Sequence, residues 1–187
     1  MRCDWGNKDS LLIEYHDTEW GVPMHDDIIL FEFLVLDMFQ AGLSWLTILK
    51  KRENFRNALD NFNIEKIASY DSKKLEELLS NPGIIRNKMK IAAVVNNARL
   101  VLEIQNEFKS FDSYIWSFTD GKPIVNKFQT MSDIPATSSF SDEMSRDMKK
   151  RGFKFVGSTI CYAFMQSIGM INDHIVSCFR YENVRKL

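Results

Sequence analysis

The sequence predicts an all-α fold, and three observations carry that prediction. Apolar residues recur at spacings of three and four over long stretches, capping and stopping residues bracket those stretches, and no two runs read as a strand pair. With 187 residues and 45% of them apolar, the chain can bury a substantial core within one domain.

The elements follow in order. Residues 26 to 40 read as a buried helix, apolar on almost every side from Ile28 to Leu36. A tight Ala41-Gly42 step ends it, and a second helical run goes from Ser44 to about Leu59. Ser72 suits the N-cap of a short helix ending near Leu79, which Asn81-Pro82-Gly83 breaks. Ile91, Val94, Val95, Ala98, Val101 and Leu102 then recur at helical spacing. Residues 119 to 140 hold turn-forming residues and no long periodic run, so they read as an irregular connection. Ser141 to Arg151 is a helix with cations in its last turn and Gly152 as its stop. An apolar helix from Ser158 to about Ile168 follows, and Asp173 is expected to cap a final one.

Net charge is −1, which leaves nucleic-acid binding to local clusters. Basic residues gather at Lys50-Lys51-Arg52, at Arg86, Lys88 and Lys90, and at Lys149-Lys150-Arg151 with Lys154; each alone reads as a solvated helix end. No opening segment joins a basic stretch, an apolar run and a cleavage site, and no uncharged apolar run approaches the ~20 residues of a bilayer span. A soluble cytoplasmic protein is expected, with its three Cys free or on metal.

Four potential ligands stand out. Cys3 and His16 lie near the N-terminus, and His174 and Cys178, spaced i, i+4 as on one helix face, lie near the C-terminus. Two Cys and two His make a closed tetrahedral set suited to structural zinc, which would pin two fraying ends together. On spacing alone, two buried Cys and two hydrogen-bonded His are an equal reading. Cys161 reads as a core residue of its apolar helix, and His25 as solvating or capping a helix start.

Leu79 to Lys88 has the form of a hairpin between two helices. Gly83 would let a DNA backbone approach, the next helix would offer amides to phosphate, and Arg86 and Lys88 would add attraction; a plain helix–helix turn has the same residues. Trp5, Tyr15, Trp20 and Trp45 are close enough in sequence to form a cage for a flat base, or to be core. Asp37 shares its helix face with Phe33, Leu34 and Ala41, so it is either a carboxylate tuned by burial or a half-exposed residue bonding backbone.

Several segments together resemble the 3-methyladenine DNA glycosylase I family along nearly the whole chain. They are Arg2-Cys3-Asp4-Trp5, Tyr15-His16-Asp17-Thr18-Glu19-Trp20-Gly21-Val22-Pro23, Gln40-Ala41-Gly42-Leu43-Ser44-Trp45, Leu49-Lys50-Lys51-Arg52-Glu53-Asn54, Arg151 to Gly157, and Asn172-Asp173-His174. The resemblance implies one domain over residues 1–187 with the helix-hairpin-helix superfamily fold. A zinc-binding lobe would come from both termini and a hairpin lobe from the middle. It implies one zinc on Cys3, His16, His174 and Cys178, and a pocket for the flipped base lined by Trp5, Tyr15, Trp20 and Trp45. The family's pocket Glu is Asp37 here, a pocket Tyr is Leu12, and Met38-Phe39 are bulkier than usual.

The implied activity is hydrolysis of the N-glycosidic bond of 3-methyladenine in alkylated double-stranded DNA, by a monomer. The damaged nucleotide must leave the stack, and Leu43 is the candidate to fill the gap. Asp37 would accept hydrogen bonds from the cationic base. Lyase relatives carry a Lys where this chain has Asn87, so no Schiff-base chemistry is expected. Two other readings stand beside this one: a non-catalytic DNA-binding module on the same scaffold, and a hydrolase of free nucleosides.

Overall fold

The computed structural model describes residues 1–187, and helices dominate it. A 3₁₀ turn, Asp4–Asn7, leads into α1 (Ser10–Thr18), whose N-cap Asp9 accepts from the Leu11 amide. The buried helix α2 (Asp27–Gln40) follows, capped by Asp26, which accepts from the amides of Ile28 and Ile29. Ten of its fourteen residues, from Leu30 to Phe39, are buried. At Gly42 a φ of +84° reverses the chain, a conformation that suits a residue without Cβ.

The run from Ser44 divides at Lys50-Lys51 into α3 (Trp45–Leu49) and α4 (Arg52–Ala58). After a 3₁₀ turn at Asp60–Phe62 come α5 (Ile64–Ala68) and α6 (Ser72–Ser80), the latter capped by Asp71 rather than Ser72. The hairpin loop leads into α7 (Lys88–Phe108), the longest helix at 21 residues, with Asn87 as its N-cap. Helix α8 (Phe111–Ser117) precedes the irregular connection. Helix α9 (Ser139–Arg151) ends at Gly152, whose φ is +101°, and α10 (Ser158–Ser167) and α11 (Phe179–Arg185) complete the set.

Two expectations fail here. The connection over 119–140 contains β1 (Ile124–Val125), paired in parallel with β2 (Ile171–Asn172), so a strand pair does exist. At two residues each, the strands are too short to show alternation in sequence. Asp173 does not cap the last helix. It follows β2 and accepts from Tyr162, Gln166 and Asn126, while α11 begins six residues later with Cys178 as its N-cap.

One contiguous cluster of 44 buried residues fills the interior, drawing on α2, α7 and α10 among others. Met38 and Phe39 belong to it, with Phe39 packed on Phe55 at 4.8 Å between ring centroids. No helix is long and apolar enough to cross a membrane.

The basic clusters are not all solvated helix ends. Arg52 lies between Glu19 (2.7 Å) and Glu32 (2.5 Å), and Arg56 bonds Glu32 at 2.8 Å. Arg151 pairs with Glu107 and Asp147. Lys51 donates to the carbonyls of Pro82 and Gly83, and Lys90 is buried. His25 pairs with Asp112 at 2.7 Å and stacks on Trp116. Cys161 is a core residue, its thiol pushed up to about 12 by burial.

Candidate active site and metal cluster

A cleft of about 580 Å³ opens where α1, α2, α3 and α10 meet. Trp5, Tyr15, Trp20 and Trp45 line it together with Asp37, so the aromatic residues and the carboxylate singled out in the sequence do converge. Trp5 meets Trp20 edge-on at 5.0 Å, and Tyr15 lies 5.1 Å from Trp45. Leu12, one turn before Tyr15 on α1, also faces the cleft, whereas Met38 and Phe39 point into the core and do not reshape it.

Asp37 is 1% exposed, so it is not the half-exposed residue that the sequence also allowed. Its Oδ1 accepts from the Ser167 hydroxyl at 3.5 Å, and Ser167 in turn accepts from Tyr15 at 3.2 Å. Its Oδ2 is buried without a partner, as is the indole Nε1 of Trp45. Burial pushes the Asp37 carboxyl well above the usual carboxylate range, against a weaker downward pull from Ser167. An orphaned carboxylate oxygen in an aromatic cleft is a costly arrangement for the empty protein and a ready acceptor for a polar ligand.

Cys3, His16, His174 and Cys178 form a buried cluster whose candidate ligand atoms lie within 4.8 Å of one another. Cys178 Sγ is 3.5 Å from His16 Nε2 and 3.6 Å from His174 Nδ1, and Cys3 Sγ is 3.7 Å from His174 Nδ1. Tetrahedral zinc with S and N ligands has edges of about 3.6 Å. Each imidazole also has its remote nitrogen engaged: His16 Nδ1 with Asp17 at 2.8 Å, and His174 Nε2 with the Trp20 carbonyl at 3.0 Å. Asp17, held down near 2 by hydrogen bonding from Arg2, orients His16. Such outer partners fix the ring positions that metal-binding histidines need. The two thiols titrate as a pair: hydrogen bonding from Cys3 and from both imidazoles holds the Cys178 thiol below its ordinary range, while the same contact and burial push the Cys3 thiol above its own. His174 and Cys178 are not on a helix, however. They flank the turn between β2 and α11, and it is the turn that brings them together.

At the hairpin, the Gly83 amide donates to Asn81 Oδ1 at 2.8 Å, and the Gly83 carbonyl accepts from Lys51 and Asn54. A Cβ at Gly83 would stand 2.9 Å from Asn81 Oδ1 and 3.2 Å from Asn54 Cγ, so glycine is needed for room inside the hairpin. The amides of Ile84, Ile85 and Arg86 make no hydrogen bond within the protein. Arg86 and Lys88 are exposed. Leu43 is 41% exposed at the α2–α3 turn.

The methyladenine glycosylase family model matches residues 5–181. The chain belongs to the methyladenine glycosylase family. It is 48% identical to DNA-3-methyladenine glycosylase 1 of Escherichia coli (strain K12) over 96% of both chains. It is 44% identical to DNA-3-methyladenine glycosylase of Haemophilus influenzae over 95% of this chain and 96% of the other. A crystal structure of 3-methyladenine DNA glycosylase I superposes with a TM-score of 0.93 at 49% identity, covering 96% of this chain and 98% of that one. Another, solved in complex with 3-methyladenine, gives a TM-score of 0.93 at 34% identity over 96% and 97%.

Within this member of the family, sequence reasoning missed part of the cleft wall. Ala163, Gln166 and Ser167 face it from α10, at the i, i+3, i+4 spacing of one helix face. Gln166 and Ser167, polar residues directly after the run Ala163-Phe164-Met165, were a usable signal. Met131 and Ile134 also line the cleft, from the irregular connection, and no local pattern marks them.

Proposed function

We propose that this protein excises 3-methyladenine from alkylated duplex DNA by hydrolysing its N-glycosidic bond, leaving an abasic site. The observation that carries this reading is the unpartnered Asp37 Oδ2 inside a cleft walled by Trp5, Tyr15, Trp20 and Trp45. A flipped methylated adenine is flat and cationic. It stacks on the rings and supplies the hydrogen-bond donor and positive charge that Asp37 lacks. The bond from C1′ to the base breaks and its electron pair leaves with the base, which departs neutral; water oxygen bonds to C1′, and the surplus proton of that water passes to solvent. Because a cationic base is already a good leaving group, the chain contributes positioning and charge complementarity.

The region from α6 through α7 acts as the helix-hairpin-helix element, which supports a division into a hairpin lobe and a lobe built from both termini. The free amides at 84–86, the exposed Arg86 and Lys88, and the α7 N-terminus suit a phosphate backbone. Leu43 fills the gap left by the flipped nucleotide. Cys3, His16, His174 and Cys178 hold one structural zinc, a closed set with no position for substrate. The enzyme acts as a monomer, since one chain supplies the whole cleft, and it works in a reducing cytoplasm that keeps the two thiols available to metal.

Measuring release of free 3-methyladenine from methylated duplex DNA tests the reading. A DNA-binding module releases none, and a nucleoside hydrolase shows no preference for duplex. Borohydride should trap no covalent adduct, because Asn87, the α7 N-cap, stands where a lyase would need Lys. A trapped adduct would overturn that part of the mechanism.

A further inference from the structure

Lys90 is 6% exposed and has no carboxylate partner. Its ammonium donates to the Ala41 carbonyl at 2.7 Å and the Phe39 carbonyl at 2.9 Å. These carbonyls belong to the last turn of α2 and its C-cap, where helical partners run out and the helix dipole is negative. A buried ammonium needs such acceptors. Lys90 itself belongs to the first turn of α7, with its amide on the Asn87 cap at 3.1 Å. One side chain therefore joins the start of the hairpin helix to the end of the helix that carries Asp37. The joined end is also the turn that presents Leu43, which is otherwise closed by the Leu43 amide on the Gln40 carbonyl at 2.7 Å.

We propose that Lys90 is a positioning residue that locks the hairpin to the Leu43 turn, so that gripping the DNA backbone places the wedge and the base cleft in register with the damaged nucleotide. The proposal rests on the glycosylase reading above. Lys90 touches no substrate. Its contribution is to remove the relative freedom of the two DNA-contacting elements that it joins. Misplacing such elements by about 1 Å can cost roughly 100-fold in rate.

The test uses the full chain and a duplex with a single 3-methyladenine. Single-turnover excision, affinity for the free base by tryptophan fluorescence, and melting temperature are measured for the parent, Lys90→Met, Leu43→Ala and the double variant. Lys90→Met is expected to lower excision by about 10- to 100-fold while leaving melting temperature and free-base affinity near those of the parent. In the Leu43→Ala background it should cost little more, since both changes disable the same wedge. Lys90→Gln, which keeps a donor on a shorter stem, is measured alongside and carries the same comparison should Lys90→Met not fold. Effects of Lys90 and Leu43 that multiply, a free-base affinity that falls together with excision, or excision equal to the parent each overturn the proposal. An inactive parent overturns the glycosylase reading instead, and so the two failures are distinguishable.

Discussion

Asp37 shows how one residue can serve the site at the expense of the empty fold. Its carboxyl is buried with one oxygen unpaired, and burial raises its pKa. A carboxyl that favours its neutral form in the folded state destabilises the protein once the unfolded chain ionises. The cost is absent below the ordinary Asp range, near 3.9, and grows as pH rises from there toward the raised folded value. Asp37→Asn should therefore stabilise the empty protein by on the order of 1–2 kcal/mol at neutral pH, with the gain fading in acid. The same change should sharply reduce excision and binding of 3-methyladenine. Thermal melts from pH 3 to pH 8 beside excision assays check both halves; an Asn variant that excises as fast as the parent removes Asp37 from base recognition. Asp37→Glu should keep excision, because the extra methylene extends into a cleft with room for it. The sequence located this carboxylate but could not show its burial, since on a helix the same neighbours suit a core position or a boundary one. Ser167, which bridges Asp37 and Tyr15, is 130 residues from Asp37 and was beyond any local pattern.

Among the elements, the long ones were legible and the short ones were not. Helices α2, α9 and α10 bury a continuous stripe, and their extents were legible to within two residues; for α7 only the periodic run from Ile91 to Leu102 was legible, inside a helix that extends from Lys88 to Phe108. Helix α1 went unread because Leu12 and Tyr15 face the cleft and His16 joins the Cys/His cluster, which scatters its apolar pattern. Helices α5 and α8, with 5 and 7 residues, are too short to establish a period. The hairpin was recognisable, but not that Lys51, Asn54 and Asn81 shape it from within. Gly83→Ala should therefore weaken duplex binding on every sequence alike, by pushing Asn81 and Asn54 out of place, with free-base affinity unchanged; a loss of free-base affinity would show damage beyond the hairpin. The exposed pair Arg86 and Lys88 makes a separate prediction. Changing both to Ala should make the slope of log affinity against log salt shallower by about 1.8, near 0.9 for each phosphate no longer neutralised. An unchanged slope in a salt titration would take both residues off the DNA.

Across the whole molecule, the two ends of the chain meet at the cluster of Cys3, His16, His174 and Cys178. These residues stood out by type, but their meeting depends on the turn between β2 and α11, which sequence presented as a helix. Purified protein should carry close to one zinc per chain by metal analysis. Chelation or Cys178→Ser should loosen both termini, seen as earlier melting and faster proteolysis at residues 1–20 and 171–187. Protein that is folded, active and free of metal would contradict this.

The strand pairing carries that dependence further. The Ile124 amide bonds the Met170 carbonyl, the Asn126 amide bonds the Asn172 carbonyl, and the Val176 amide bonds the Phe128 carbonyl. The stretch holding Met131 and Ile134 against the cleft is thus sewn to the segment that contains His174. In a growing polypeptide, Trp5, Tyr15, Trp20, Asp37 and Trp45 all emerge early, yet the stretch that carries Met131 and Ile134 lacks its backbone partners until residues 170–176 have been made. A nascent or prematurely terminated chain would own every ring of the base cage and still be unable to close it. Ribosome-tethered chains ending before residue 170 should bind no base.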